Sequence, residues 1–96
     1  MTRQDILQIL KESKEEIKKK YKAELKGVFG SYARGQQKPG SDVDVLVSWD
    51  NNADLFDLVG LGLYLEQKLA LKVDIVPERY LRRELTEKVM TDLIAV

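Results

Sequence analysis

Between Ser41 and Val47 the chain reads Ser-Asp-Val-Asp-Val-Leu-Val. No other stretch restricts the fold as tightly. An alternation of period two belongs to a β-strand, where successive side chains leave on opposite faces. Val43, Val45 and Val47 then form one apolar, β-branched face, and Asp42 and Asp44 share the other. Two neighbouring carboxylates repel each other and lose hydration if buried. Such a pair either stays wet or holds a divalent cation, and oxygen-only ligands suit Mg²⁺ or Mn²⁺. The chain therefore needs a sheet with one face turned to a core and the other left open at the acidic end.

The rest of the sequence supplies the partners of that strand. Ile6, Leu10, Ser13, Ile17 and Tyr21 recur at helical spacing, with Ile9 beside them and Lys and Glu opposite. Thr2 and Asp5 resemble a capping box, and Lys18, Lys19, Lys20 and Lys22 crowd the far end, where cations suit the helix dipole. That lysine run reads as a solvated helix end or as a phosphate-facing patch. Leu25 to Phe29 reads as a strand ending in a tight turn at Gly30-Ser31. Gly35 to Ser41 reads as a loop. A second helix is expected from about Asp54 to Ala70, a third strand over Val73 to Val76 stopped by Pro77, and a helix over Tyr80 to Val89. The tail from Leu93 to Val96 suits a last strand or a helix end. A helical crossover between the second and third strands lets those two run parallel. The expected class is α/β (α+β): a small mixed sheet with helices covering one face. Strand order does not follow from these patterns.

Composition narrows the chemistry. The 96 residues contain no Cys and no His, which excludes disulfides, thiolate or imidazole metal sites, and the Ser-His-Asp triad. A 44% apolar and 33% charged content fits a folded domain better than a disordered tail. This length suggests a single domain over residues 1–96. Sixteen basic and sixteen acidic groups give zero net charge, which weighs against nucleic acid as a partner. Residues 1–26 are charged throughout and resemble no signal peptide, and the apolar run Leu58–Leu65 is too short to cross a bilayer. The expected location is cytoplasmic, with no membrane association.

Chemistry must then come from carboxylates, hydroxyls, Lys/Arg and bound metal. Asp74 is a charge inside the apolar run Val73-Asp74-Ile75-Val76. It either points to water from an edge strand or lies beside Asp42 and Asp44 on a neighbouring one. Three such carboxylates can hold two hard cations for in-line phosphoryl or nucleotidyl displacement, and one can accept the proton of an attacking hydroxyl. Gly30 allows close backbone approach, and the Ser31 hydroxyl with following N–H groups can hold phosphate oxygens. No Gly-Lys-Ser/Thr follows, so this is not a P-loop.

Taken together, Gly30-Ser31, then Ala33-Arg34-Gly35, then Ser41-Asp42-Val43-Asp44 with apolar residues after it, and Asp74 beyond a helix, resemble the DNA polymerase β-like nucleotidyltransferase superfamily. The resemblance is strongest to its minimal members, the MNT or MntA-like antitoxins of about this length. It implies the small α/β nucleotidyltransferase core. It implies that Gly30 and Ser31 bind the triphosphate of ATP or another NTP. It implies that Asp42 and Asp44 ligate two Mg²⁺ ions (Mn²⁺ being the alternative), and that Asp74 ligates the catalytic ion and serves as base. Arg34 would contact phosphate or pair with an Asp to hold the loop, and Ser41 would be a turn or strand-start residue or else sit at the nucleotide. The acceptor would be a hydroxyl, in the minimal members a Tyr of an all-helical HEPN toxin partner.

Two other readings stand beside this one. One is a non-catalytic module that neutralises its partner by occlusion. The other is a nucleotidyltransferase for a small molecule or RNA. Leu55 to Leu71 holds more apolar positions than one helical face can use, including Leu61, Leu63 and Tyr64, and Gly60 and Gly62 weaken the helix by about 1 kcal/mol each relative to Ala. Either that helix is deeply covered within the core, or part of it is an oligomer or partner interface.

Overall fold

The computed structural model describes all of residues 1–96. Helix α1 spans Arg3–Tyr21, strand β1 Ala23–Phe29, a single helical turn α2 Ser31–Arg34, and strand β2 Val43–Trp49. Helix α3 spans Leu55–Leu69, strand β3 Val73–Pro77, helix α4 Arg83–Asp92 and strand β4 Ile94–Ala95, with a 3₁₀ turn at Glu78–Tyr80. The sheet order is β3-β2-β1-β4. Strands β2 and β3 are parallel, as the helical crossover requires, and β1 is antiparallel to both β2 and β4.

Local chemistry sets the boundaries. Thr2 Oγ1 accepts the Asp5 N–H at 3.1 Å and Asp5 Oδ2 accepts the Thr2 N–H at 3.0 Å, closing the capping box of α1. Asp54 and Asp57 form a second box at the start of α3. Both long helices end on a left-handed residue, Lys22 and Ala70.

Helices α1 and α3 pack side by side on one face of the sheet. Ile6, Leu10 and Ile17 from α1, Leu61, Leu65 and Leu69 from α3, and Val43, Val45 and Val47 from β2 make a continuous core. The two long helices cover one face as expected, and the opposite face is not bare. Leu46 is buried there, the Glu78–Tyr80 turn packs on β2, and α4 reaches β1. The expected helix over Tyr80–Val89 is divided, because the chain turns extended at Leu81 and Arg82 before α4 begins. The strand expected from Leu25 begins at Ala23, and the turn after Gly30 is one turn of helix. The strand expected from Asp42 begins at Val43, so Asp42 stands just ahead of it. The tail forms the short edge strand β4, held by the Val96 N–H donating to the Lys26 carbonyl. No helix is long and apolar enough to cross a membrane.

Candidate active site

The alternation of β2 places Asp44 on the face away from α1 and α3. Parallel pairing with β3 aligns Asp44 with Asp74, and antiparallel pairing with β1 aligns it with Phe29, immediately before Gly30. Three chain segments thus converge on Asp44 through strand register alone. Asp44 is half-buried, whereas Asp42 and Asp74 are exposed. Burial pushes the Asp44 carboxyl above its ordinary value, and the charges of Asp74 and Asp42 push it further, with the Arg34 guanidinium opposing them. Excess negative charge around a partly desolvated carboxylate is what a bound cation would relieve. The donor set is all oxygen and so fits Mg²⁺ or Mn²⁺. The three carboxylates do not close into a ligand cage as they stand. Asp42, outside the strand, is the one whose position strand geometry does not determine.

Gly30 is required by geometry. It has φ +77°, and a Cβ there would collide with Asp44 Oδ2. Only the missing side chain lets the β1–α2 junction lie against the carboxylate. Ser31 opens α2, whose first N–H groups have no acceptor within the helix. The far end of α2 is tethered by Arg3, whose Nη1 donates to the Ala33 carbonyl at 2.9 Å. Of the two readings of Arg34, the structure shows the ion pair: Nη1 lies 2.6 Å from Asp92 Oδ2 at the end of α4, and Nε donates to Gln36. Ser41 is a turn residue, its Oγ accepting the Lys38 N–H at 2.9 Å. It does not face the other site residues through any bond of its own.

Gly30, Arg34, Asp44 and Asp74 line the largest concavity of the molecule, about 380 Å³, whereas Ser31, Ser41 and Asp42 lie outside its lining. Phe29, Gly30, Arg34, Asp44, Asp74 and Val76 form its floor and one wall. Leu81, Leu85, Lys88, Val89 and Asp92 form the other wall. That second wall was not legible in the sequence. Leu85 and Lys88 lie on an ordinary amphipathic helix, and only the packing of α4 brings them opposite the carboxylates. The volume suits a small ligand with an apolar part and an anionic part beside an oxygen-rich metal position.

Comparison with known proteins agrees with this geometry. The chain is 35% identical over 96 residues to the protein adenylyltransferase MntA of Thermococcus cleftensis, covering 100% of this chain and 97% of that one. A solved minimal nucleotidyltransferase superposes with a TM-score of 0.83 at 35% identity, over 100% of this chain and 97% of its own. A toxin–antitoxin crystal structure with AMP-PNP matches with a TM-score of 0.69 at 26% identity, over 99% of this chain and 72% of that one. The nucleotidyltransferase domain profile matches residues 10–96. With the family profile matching residues 10–96 and relatives aligned along the whole chain at 35% identity, the chain belongs to the nucleotidyltransferase domain family and is a nucleotidyltransferase.

Proposed function

We propose that this chain transfers AMP from ATP to a hydroxyl of a partner protein, a Tyr of an all-helical HEPN toxin, and acts as the antitoxin of that pair. The observation that carries the reading is the register that puts Asp44 beside Asp74, with Gly30 pressed against the same carboxylate, at the floor of the main concavity. The likeness to MntA and to a toxin–antitoxin structure with AMP-PNP supports the nucleotide and the kind of partner.

Enzymes of this family generally use a divalent metal. Here Asp42, Asp44 and Asp74 would hold Mg²⁺, which supplies charge neutralisation for the triphosphate and for the leaving pyrophosphate. Gly30 and Ser31 bind phosphate oxygens through the backbone and the hydroxyl. Asp74, the more exposed carboxylate, accepts the proton of the acceptor hydroxyl. The acceptor oxygen forms a bond to the α-phosphorus, the bond from that phosphorus to the bridging oxygen breaks, and pyrophosphate leaves with the electron pair. Arg34, held by Asp92, positions α2 against α4 and lends positive charge to the site.

The test is transfer of label from ATP, in Mg²⁺, to the proposed partner, an all-helical HEPN toxin. We expect label on a Tyr, and a loss of at least about 100-fold in Asp42→Asn or Asp74→Asn. Equal labelling by wild type and these variants would sink the catalytic assignment. Full neutralisation of the toxin by a triple Asp→Asn variant would establish occlusion instead.

A further inference from the structure

Helix α3 buries Leu61, Leu65 and Leu69 but exposes a second apolar stripe on its outer side. Leu55 is 68% exposed, Phe56 86%, Val59 55% and Leu63 62%. Four large apolar side chains on one helix face form a contiguous patch, unlike the scattered exposure normal for a soluble surface. The four side chains of the stripe are uncharged, and the carboxylates near it are held by backbone N–H groups. Glu66, further along the same side, is turned inward and accepts the Val73 N–H at 3.0 Å. The Asp54 carboxylate is engaged with the Asp57 N–H.

We propose that this stripe is the interface between two copies of this chain, packed α3 against α3 about a two-fold axis. The pattern is self-complementary. Phe56 lies three residues before Val59 and Leu63 four after it, so an axis near Val59 sets Phe56 of one copy against Leu63 of the other. Crossing the helices at about 50° confines contact to this middle stretch and keeps the acidic helix starts apart. Zero net charge removes long-range repulsion between copies. The four side chains offer at most about 500 Å² per copy, roughly 1,000 Å² for the pair, the size of a weak association that forms only at the higher protein concentrations.

Gly62 points the same way. A Cβ there would meet only Ile75 Cγ1 at 3.8 Å, an ordinary contact, so packing within the chain does not require glycine. Glycine keeps the α3 surface low beside Val59, where a second helix would approach. The stripe lies on the opposite side of the sheet from Asp44 and Asp74, so pairing leaves both candidate active sites facing outward.

Light scattering on the eluting protein tests this from roughly 1 to 100 µM. The mass should approach twice 11.0 kDa at the upper end and fall on dilution. Val59→Glu should hold it at 11.0 kDa with an unchanged far-ultraviolet circular dichroism spectrum. If Val59→Glu unfolds, Phe56→Ser with Leu63→Gln makes the same test. Met90→Glu, on exposed α4 surface, should still pair. A wild type that stays at 11.0 kDa throughout overturns the proposal, even if it proves to bind a toxin through α3. Pairing that survives Val59→Glu, or that is lost in Met90→Glu, overturns it too. None of these readings depends on transferase activity.

Discussion

Replacing Asp44 by Asn should make the metal-free protein more stable while removing its activity. Asp44 and Asp74 are register partners on adjacent parallel strands. Neighbouring strands lie about 4.8 Å apart, so two ionised carboxylates there stand roughly 5 Å apart. At that separation, with an effective dielectric constant of about 40 to 80 suited to the exposed Asp74, they repel by about 0.8 to 1.7 kcal/mol. Partial burial of Asp44 adds to the cost of its charge, and Asn keeps the shape without it. A gain near 1 kcal/mol corresponds to a rise of about 4 to 8 °C in Tm for a domain of this size. The pH dependence carries its own sign. The folded-state pKa of Asp44 is raised, so the penalty is present at neutral pH and disappears as pH falls through that raised value toward 3.8. Wild type and variant should therefore converge in acid. Mg²⁺ at about ten times its Kd should add about 1.4 kcal/mol to the wild type and much less to the variant, narrowing or reversing the order. Thermal unfolding followed by circular dichroism, in chelator and in Mg²⁺, measures all of this. A variant less stable than wild type in chelator at neutral pH would refute the reasoning, because the carboxylates would then not be in mutual repulsion.

Two further perturbations follow from the same packing. A Cβ on Gly60 would lie 2.9 Å from the Tyr21 ring, whereas one on Gly62 meets no obstacle. Measured in the Val59→Glu background so that association does not enter, Gly62→Ala should stabilise by up to about 1 kcal/mol and Gly60→Ala should be neutral or destabilising by up to about 2. Equal effects in chemical denaturation would contradict this account of α3. The Tyr64 hydroxyl donates to Glu16 Oε2 at 2.5 Å, and this bond first, then Lys20, lowers the Glu16 pKa below 4.5. A lowered carboxylate pKa supports the fold above the unfolded value, and that support is lost as pH falls through the folded one. Tyr64→Phe should therefore flatten the loss of stability below about pH 4.5, and an unchanged acid limb would argue against the bond.

Much of the fold was legible because its signals are local. The spacing of Ile6, Leu10 and Ile17 marked the buried face of α1, and the Thr2–Asp5 box marked its start. Of the apolar positions from Leu55 to Leu71, only part is covered within the core. Leu61, Leu65 and Leu69 are core, while Phe56 and Leu63 face solvent. Periodicity told that two stripes were present, but which one met the sheet depended on how α3 crosses it. The end of the chain was read least well. Tyr80 looked helical, yet it stacks edge-on against Trp49 at 6.2 Å and belongs to a 3₁₀ turn.

The sequence alone determined which residues can do chemistry. No Cys or His left carboxylates, and the period-two alternation set Asp44 opposite the valines, because side-chain direction in a strand is a property of the backbone. Tertiary structure decided what those carboxylates face. Strand order, the alignment of Asp44 with Asp74, the Arg34–Asp92 pair and the α4 wall join residues from 15 to 68 positions apart in the chain. Their placement is set by long-range pairing and by which faces must be buried together. No window of sequence contains that information, since it arises only when the separate elements exclude water from a shared core.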